Sequence, residues 1–233
     1  MSQQPLVSVV IAVRNGERYL REAIDSVLAQ RYEPYEIVVV DGDSSDRSRE
    51  IAGAVPGVRV VRQAGRGIAN AYNEGIAAAR GELLAFLSHD DLWAPDKLER
   101  QAGLMAARPE LEYTIAMARY FLEDGCAPPP GFRRDLLDRD VVGCMMETLV
   151  ARRAVFDRVG RFDESFEIGE DADWYARAKD HGAVSAVVPD VLLRKRVHGV
   201  NLSLNSPTDY ACLLRALRGS IGRKRAAAAG PAE

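Results

Sequence analysis

The sequence predicts an α/β fold, with a mostly parallel central sheet flanked by helices and a smaller, less regular second part. Three observations predict it. Short β-branched runs alternate with segments of helical periodicity through the first half of the chain. Each of the early runs stops at a break rich in Gly, Asn, Ser and Asp. The 233 residues, 47% of them apolar, suffice for one sizeable core with an appended subdomain.

In order along the chain, Val7–Val13 is a β-branched run fit for a central strand, broken by Arg14-Asn15-Gly16. A helix follows with Tyr19, Leu20, Ala23, Ile24, Val27 and Leu28 on one face. Ile37–Val40 is a second buried strand, ending at Asp41-Gly42-Asp43-Ser44-Ser45-Asp46, whose Ser and Asp side chains suit the start of a helix over Arg47–Ala54. Val58–Val61 is a third strand, and Gly65-Arg66-Gly67 leads into a helix over Ile68–Ala79. Leu83–Leu87 is a fourth, fully apolar strand. Beyond it the spacing predicts a helix over Asp96–Ala107, a strand over Tyr113–Phe121 and a loop holding Pro128-Pro129-Pro130-Gly131. A strand over Glu147–Ala151, helices over Arg153–Val159 and Gly169–Lys179, and strands over Val184–Val188 and Leu192–Val197 complete the pattern. A final helix carries Leu213, Leu214, Leu217 and Ile221 on one side, expected against the domain, with Arg215 and Arg218 in water. Residues 226–233 read as a frayed tail.

A site follows from this order. In open α/β sheets, ligands bind beyond the carboxyl ends of the strands. Arg14-Asn15, Asp41–Asp46 and Ser88–Asp91 each follow such an end, so the three breaks should converge on one crevice. Asp90 and Asp91 are the most informative pair. Adjacent carboxylates repel unless a cation lies between them. Their place after a buried strand suits a hard divalent ion carrying a phosphorylated ligand.

Bulk properties narrow the field. A net charge of −3 excludes the dominant basic surface needed for nucleic acid. Cys126, Cys144 and Cys212 show no paired metal spacing and read as reduced thiols. The N-terminus lacks a leader pattern, and no apolar stretch approaches the ~20 residues of a membrane span. The expectation is a cytoplasmic protein, with peripheral contact of the basic last helix with an anionic membrane as the alternative to its packing on the domain.

The ordered set of motifs resembles family 2 glycosyltransferases of the GT-A fold. It comprises Val9-Val10-Ile11-Ala12-Val13-Arg14-Asn15, Val38–Asp46, Gly67–Gly75, Phe86–Asp91, Gly160-Arg161-Phe162-Asp163-Glu164, Gly169–Trp174 and Arg196-Val197-His198-Gly199, followed by Asn201 and Ser203. The resemblance implies a single domain over residues 1–225, with a Rossmann-like nucleotide half near 5–95 and an acceptor and base half near 96–225. It implies inverting transfer of a sugar from a nucleotide diphosphate, a UDP-sugar first among them, assisted by Mg2+ or Mn2+. The acceptor is then a hydroxyl on a glycan, lipid-linked glycan, peptide or small molecule, as in surface polysaccharide or glycoconjugate synthesis, by a monomer or homodimer.

By the same match, Asp171 falls at the catalytic base. Asp41 falls at base recognition, with Asp43 near the ribose and Val13, Asn15, Asn70, Ser88 and His89 around the donor. Asp90, Asp91 and His198 fall at the metal, and Arg196 faces the diphosphate. One departure is Ser88, where the family's aspartate motif begins with Asp. Asp41-Gly42-Asp43 also reorders the commoner Asp-Asp-Gly.

Blander readings stand beside these. Glu170, Asp171 and Asp173 favour a helix start whatever their function. Arg194-Lys195-Arg196 reads equally as a solvated strand end, and Trp93 and Trp174 as core residues. A phosphohydrolase with an aspartyl nucleophile is excluded because the first strand ends in Val13-Arg14-Asn15. A dinucleotide oxidoreductase is excluded by the missing G-x-G-x-x-G turn. A nucleotide-sugar-binding module without turnover remains the non-enzymatic rival, with Ser88 as its signature.

Overall fold

The computed structural model describes residues 4–199, 201 and 209–229. Four strands form its first half: β1 (Val7–Val13), β2 (Tyr35–Asp41), β3 (Val58–Arg62) and β4 (Leu83–Ser88). They pair in parallel in the order β3-β2-β1-β4. Helices α1 (Leu20–Leu28), α2 (Ser48–Gly53) and α3 (Gly67–Ala78) make the crossovers. β1 shows why the sheet is central. Val7, Val9, Ile11 and Val13 join the core on the α1 side, while Val10 and Ala12 join the one on the α3 side. A strand buried on both faces reads as a near-continuous apolar run, as this one does apart from Ser8.

The second half extends the same sheet. β5 (Leu92–Trp93) and α4 (Lys97–Ala107) are followed by β6 (Tyr113–Leu122), β7 (Asp140–Val142) and β8 (Val150–Arg152). Then come α5 (Arg153–Val159), α6 (Glu170–Asp180), β9 (Ser185–Val197) and α7 (Asp209–Ala229). β8 joins β4 to β6 by short antiparallel ladders, and a long parallel β6–β9 ladder continues the sheet. Trp93 and Trp174 are core residues, and Trp174 stacks on Phe156 with centroids 4.8 Å apart. The cysteines are free thiols. Among the described residues no helix is long and apolar enough to cross a membrane.

The structure corrects the sequence reading in four places. The strand expected over Glu147–Ala151 is a 3-10 turn over Met146–Thr148 followed by β8. Side chains capture its carbonyls: the Trp93 indole donates to Glu147 O at 2.9 Å, and the Gln101 amide to Thr148 O at 2.9 Å. The two strands expected over 184–197 are one, β9, with two register shifts between Val188 and Leu193, the first at Pro189-Asp190. Proline has no N–H for the ladder, and the bulge absorbs it. Residues 226–229 continue α7 instead of fraying, while 230–233 lie outside the described residues.

The fourth correction concerns the face that α7 buries. Leu213, Leu214, Leu217 and Ile221 are 47–58% exposed. The helix instead rests on α6 through buried Ala216, with Ser220 and Arg223 bonding Asp180 at 2.8 and 2.9 Å.

Candidate active site

Parallel pairing puts the carboxyl ends of β1, β2 and β4 side by side, with Val13 opposite Asp41 and Ala12 opposite Ser88. The first two loops are bolted together. Asn15, in the left-handed region at φ 52°, accepts the Ser45 amide on its Oδ1 at 2.9 Å and donates its own backbone N–H to Ser44 Oγ at 2.9 Å. Asp46 accepts the amides of Glu17 and Ser48. Burial opposes ionisation of Asp46, but a 2.6 Å bond from the Ser48 hydroxyl together with these amides outweighs it and holds its carboxyl below the usual range. The Val13 carbonyl is taken by the Gly42 amide at 2.8 Å. His89 lies under the first loop so closely that a Cβ on Gly16 would fall 2.3 Å from its ring. Burial lowers the His89 pKa, with Asp90 pulling the other way.

Asp41 and Asp43 separate. Asp41 is fully buried and gripped by Arg49 of α2 through Nη2 at 2.6 Å and Nε at 3.1 Å. Asp43 is exposed, at φ 59°, and pairs with Arg62 at 3.0 Å. Asn70 ties the start of α3 to Glu164, donating at 3.0 Å while accepting the Gly65 amide.

After β4 the carboxylates also divide. Asp90 Oδ2 meets His198 Nε2 at 3.0 Å and the Asn201 amide at 3.1 Å. Burial works against its ionisation, but the His198 bond and nearby cationic groups hold its carboxyl well below the ordinary range. Asp91, expected beside it as a ligand, is fully buried and turned to Lys195 Nζ at 2.8 Å and the Arg196 amide at 2.9 Å. Burial pushes the Asp91 carboxyl up to about 7, while Lys195 stays firmly protonated among its carboxylates. Two donors on one carboxylate favour its charged form and oppose that rise. Arg196, expected toward the diphosphate, reaches Glu123 at 2.6 Å and Glu22 at 2.7 Å and donates to the Asp90 carbonyl. In this arrangement it braces the loop that presents Asp90.

Glu147 connects the two halves and was not foreseen. Its Oε1 accepts Ser88 Oγ at 2.5 Å and Lys195 Nζ at 3.2 Å. Ser88 thus borrows from the facing segment the charge that its own side chain lacks. Glu147 and Lys195 also both act on Asp171, at the start of α6. Burial pushes Asp171 up to about 6 against a 2.6 Å bond from the Ala172 amide, and Glu147 adds to the rise. Glu170 is raised to about 8 by burial and by Asp171. Asp91, Glu147, Lys195 and Asp171 therefore share one electrostatic neighbourhood. Among the sequence signals, only the isolated charge of Glu147 in an apolar run, Met145-Met146 to Leu149-Val150, pointed to it.

The donor set can be tested for a cation. Among the described residues no three His, Cys, Asp or Glu side chains close on one point. Asp90 and His198 do meet, and two protein ligands fit an ion that completes its shell with phosphate oxygens and water.

Residues 8–160 match the family described as Glycosyl transferase family 2. The chain belongs to that family. A protein named as an uncharacterized glycosyltransferase from Rickettsia typhi is 32% identical over 90% of this chain and 70% of its own length. Another from Nostoc sp. is 46% identical over 40% of this chain and 31% of its own. Among solved structures, S. aureus TarS 1-349 in complex with UDP-GlcNAc superposes with a TM-score of 0.71 at 18% identity, covering 93% of this chain. A mannosyltransferase from Pyrobaculum calidifontis, in complex with GDP-Man and Mn2+, gives 0.64 at 21% identity over 100% of this chain. The chain spans 66% and 77% of these two structures and 65% of TarS 1-349 bound to UDP. At such identities the likeness carries the fold, and this family 2 glycosyltransferase has the GT-A arrangement of its neighbours.

Proposed function

We propose that the protein transfers a sugar from a nucleotide diphosphate, a UDP-sugar in the first instance, to an acceptor hydroxyl with inversion. The observation that carries this reading is the set of linked charges beside Asp90: Asp91 and Glu147 share Lys195, and Glu147 and Lys195 both act electrostatically on Asp171. Asp90 meets His198, and Asp171 at the start of α6 lies in the same electrostatic neighbourhood as Asp91, Lys195 and Glu147. Asp90 and His198 would hold a divalent cation, which when bound supplies positive charge to the departing diphosphate. The protein's own part is positional and electrostatic. The first two loops, locked by Asn15 and Asp46, form the nucleotide side. Asp171, raised in pKa yet ionised at neutral pH, accepts the proton of the acceptor hydroxyl. That oxygen forms the new bond to the anomeric carbon as the carbon–oxygen bond to the diphosphate breaks, and the bonding pair leaves with the diphosphate. Inversion follows if the acceptor oxygen approaches from the face opposite the diphosphate.

The test is a panel of nucleotide sugars with Mn2+, with free nucleotide diphosphate as the readout and a chelator control. Release with one donor, abolished by chelator, is expected. Nucleotide binding with no release from any donor or acceptor would favour the binding module.

A further inference from the structure

We propose that α7 docks this protein on an anionic lipid surface through the stripe Leu213, Leu214, Leu217 and Ile221. At ~100° per residue these four fall within one sector of roughly 100°, the width of an apolar face that a helix ordinarily turns to a core. Here that face is turned outward, with exposures of 47%, 53%, 58% and 50%. A continuous exposed stripe of this kind marks an interaction surface.

The charge around the stripe selects the partner. Residues 213–225 contain Arg215, Arg218, Arg223, Lys224 and Arg225 and no Asp or Glu, in a chain of net charge −3. By helical angle, Arg218 and Arg225 border the stripe on one side, while Lys224 falls in the same sector one turn beyond Ile221 and reaches Asp180 at 3.6 Å. Arg223 points inward to Asp180, and Arg215 pairs with Asp163 at 3.4 Å. Arg218 and Arg225 have no ion pair among the described residues. An apolar stripe with a basic border is the pattern of a helix lying at a membrane interface. A second copy fits less well, because a two-fold contact would set the same basic border against itself.

The position of α7 gives the docking a consequence. It packs on α6, and a Cβ on Gly169, the residue before Glu170-Asp171, would lie 3.1 Å from Cys212. A docked α7 therefore leaves the proposed base one helix from the lipid, suited to a hydroxyl acceptor carried on a lipid. This consequence rests on the transferase reading, whereas the docking itself does not.

The test is co-sedimentation of the full chain with vesicles of phosphatidylcholine alone or with 30% phosphatidylglycerol. Binding is expected to the anionic vesicles, weakened by 0.5 M NaCl, and to fall at least tenfold in Arg218→Ala/Arg225→Ala, at roughly fivefold per basic residue. Leu217→Glu/Ile221→Glu should abolish it while leaving the melting temperature and donor binding unchanged, since both residues are exposed. Failure of the wild type to bind anionic vesicles, or undiminished binding by both variants, overturns the proposal. So does a wild-type dimer in sedimentation velocity that the glutamate variant converts to monomer without any vesicle binding. Loss of transfer activity with vesicle binding intact would count against the transferase reading alone.

Discussion

Replacing Lys195 with Met removes the cation that pairs with both Asp91 and Glu147, and its cost can be worked from the contacts. The ammonium lies 2.8 Å from Asp91 and 3.2 Å from Glu147, with Asp91 fully buried and the lysine side chain 17% exposed. Taking one partner from a buried pair costs roughly 3–5 kcal/mol, because the other charge is left in a medium that solvates it poorly. Two features bring the expectation to the lower end, about 3 kcal/mol. Asp91 keeps the Arg196 amide at 2.9 Å, and with its pKa already pushed up to about 7 it can take a proton instead of staying charged. For a chain of this size that is a fall in Tm of roughly 6–12 °C. Urea unfolding of Lys195→Met at pH 7 should show the loss, and at pH 5.5 a smaller one, since protonation is then easier. Lys195→Met/Asp91→Asn should recover more than half of it. A single variant within ~0.5 kcal/mol of wild type, against the roughly 3–5 expected for a broken buried pair, or a double no better than the single, would refute the buried-pair reasoning.

Other consequences follow from the same geometry. With the Asp171 carboxyl at about 6, the transfer rate should fall about tenfold per pH unit below that value and level off above it, since a base must be deprotonated to act; a pH profile of nucleotide diphosphate release checks this. Gly16→Ala should lose roughly 1–3 kcal/mol of stability together with UDP affinity, because the new Cβ would meet the His89 ring at 2.3 Å and Val13 at 2.7 Å; calorimetric unfolding and titration with UDP read the two effects. Glu170 is raised to about 8, so between its unfolded value near 4.5 and pH 8 the folded state holds the extra proton and stability declines as pH rises. Glu170→Gln should therefore raise Tm relative to wild type at pH 8 and change it little at pH 4.5.

The first half of the fold was legible because its strands are near-continuous apolar runs ended by Asn15, Asp41 and Ser88, and parallel pairing alone then gathers those ends. The divided roles of the acidic pairs were not legible. Asp41 is covered by Arg49 and Asp91 by Lys195, and both cations come from elements whose approach depends on tertiary packing. Lys195 read as a strand-end charge, yet alternation on β9 turns it to Asp91 while Arg196 turns to Glu22 and Glu123. Glu147 was hidden in a segment with strand-like composition, because the capture of its carbonyl by Trp93 joins residues 54 apart in sequence. The apolar stripe of α7 was visible, but not that small residues and an Arg223–Asp180 pair, instead of the leucines, would face α6.

The most direct measurement is a side-by-side assay of wild type and Asp171→Asn, with UDP binding followed by calorimetry in Mn2+ and product formation by diphosphate release. The proposed base role of Asp171 predicts UDP affinity unchanged within about twofold and turnover lower by roughly 10²–10⁴. Turnover at the wild-type rate in the asparagine protein would contradict it.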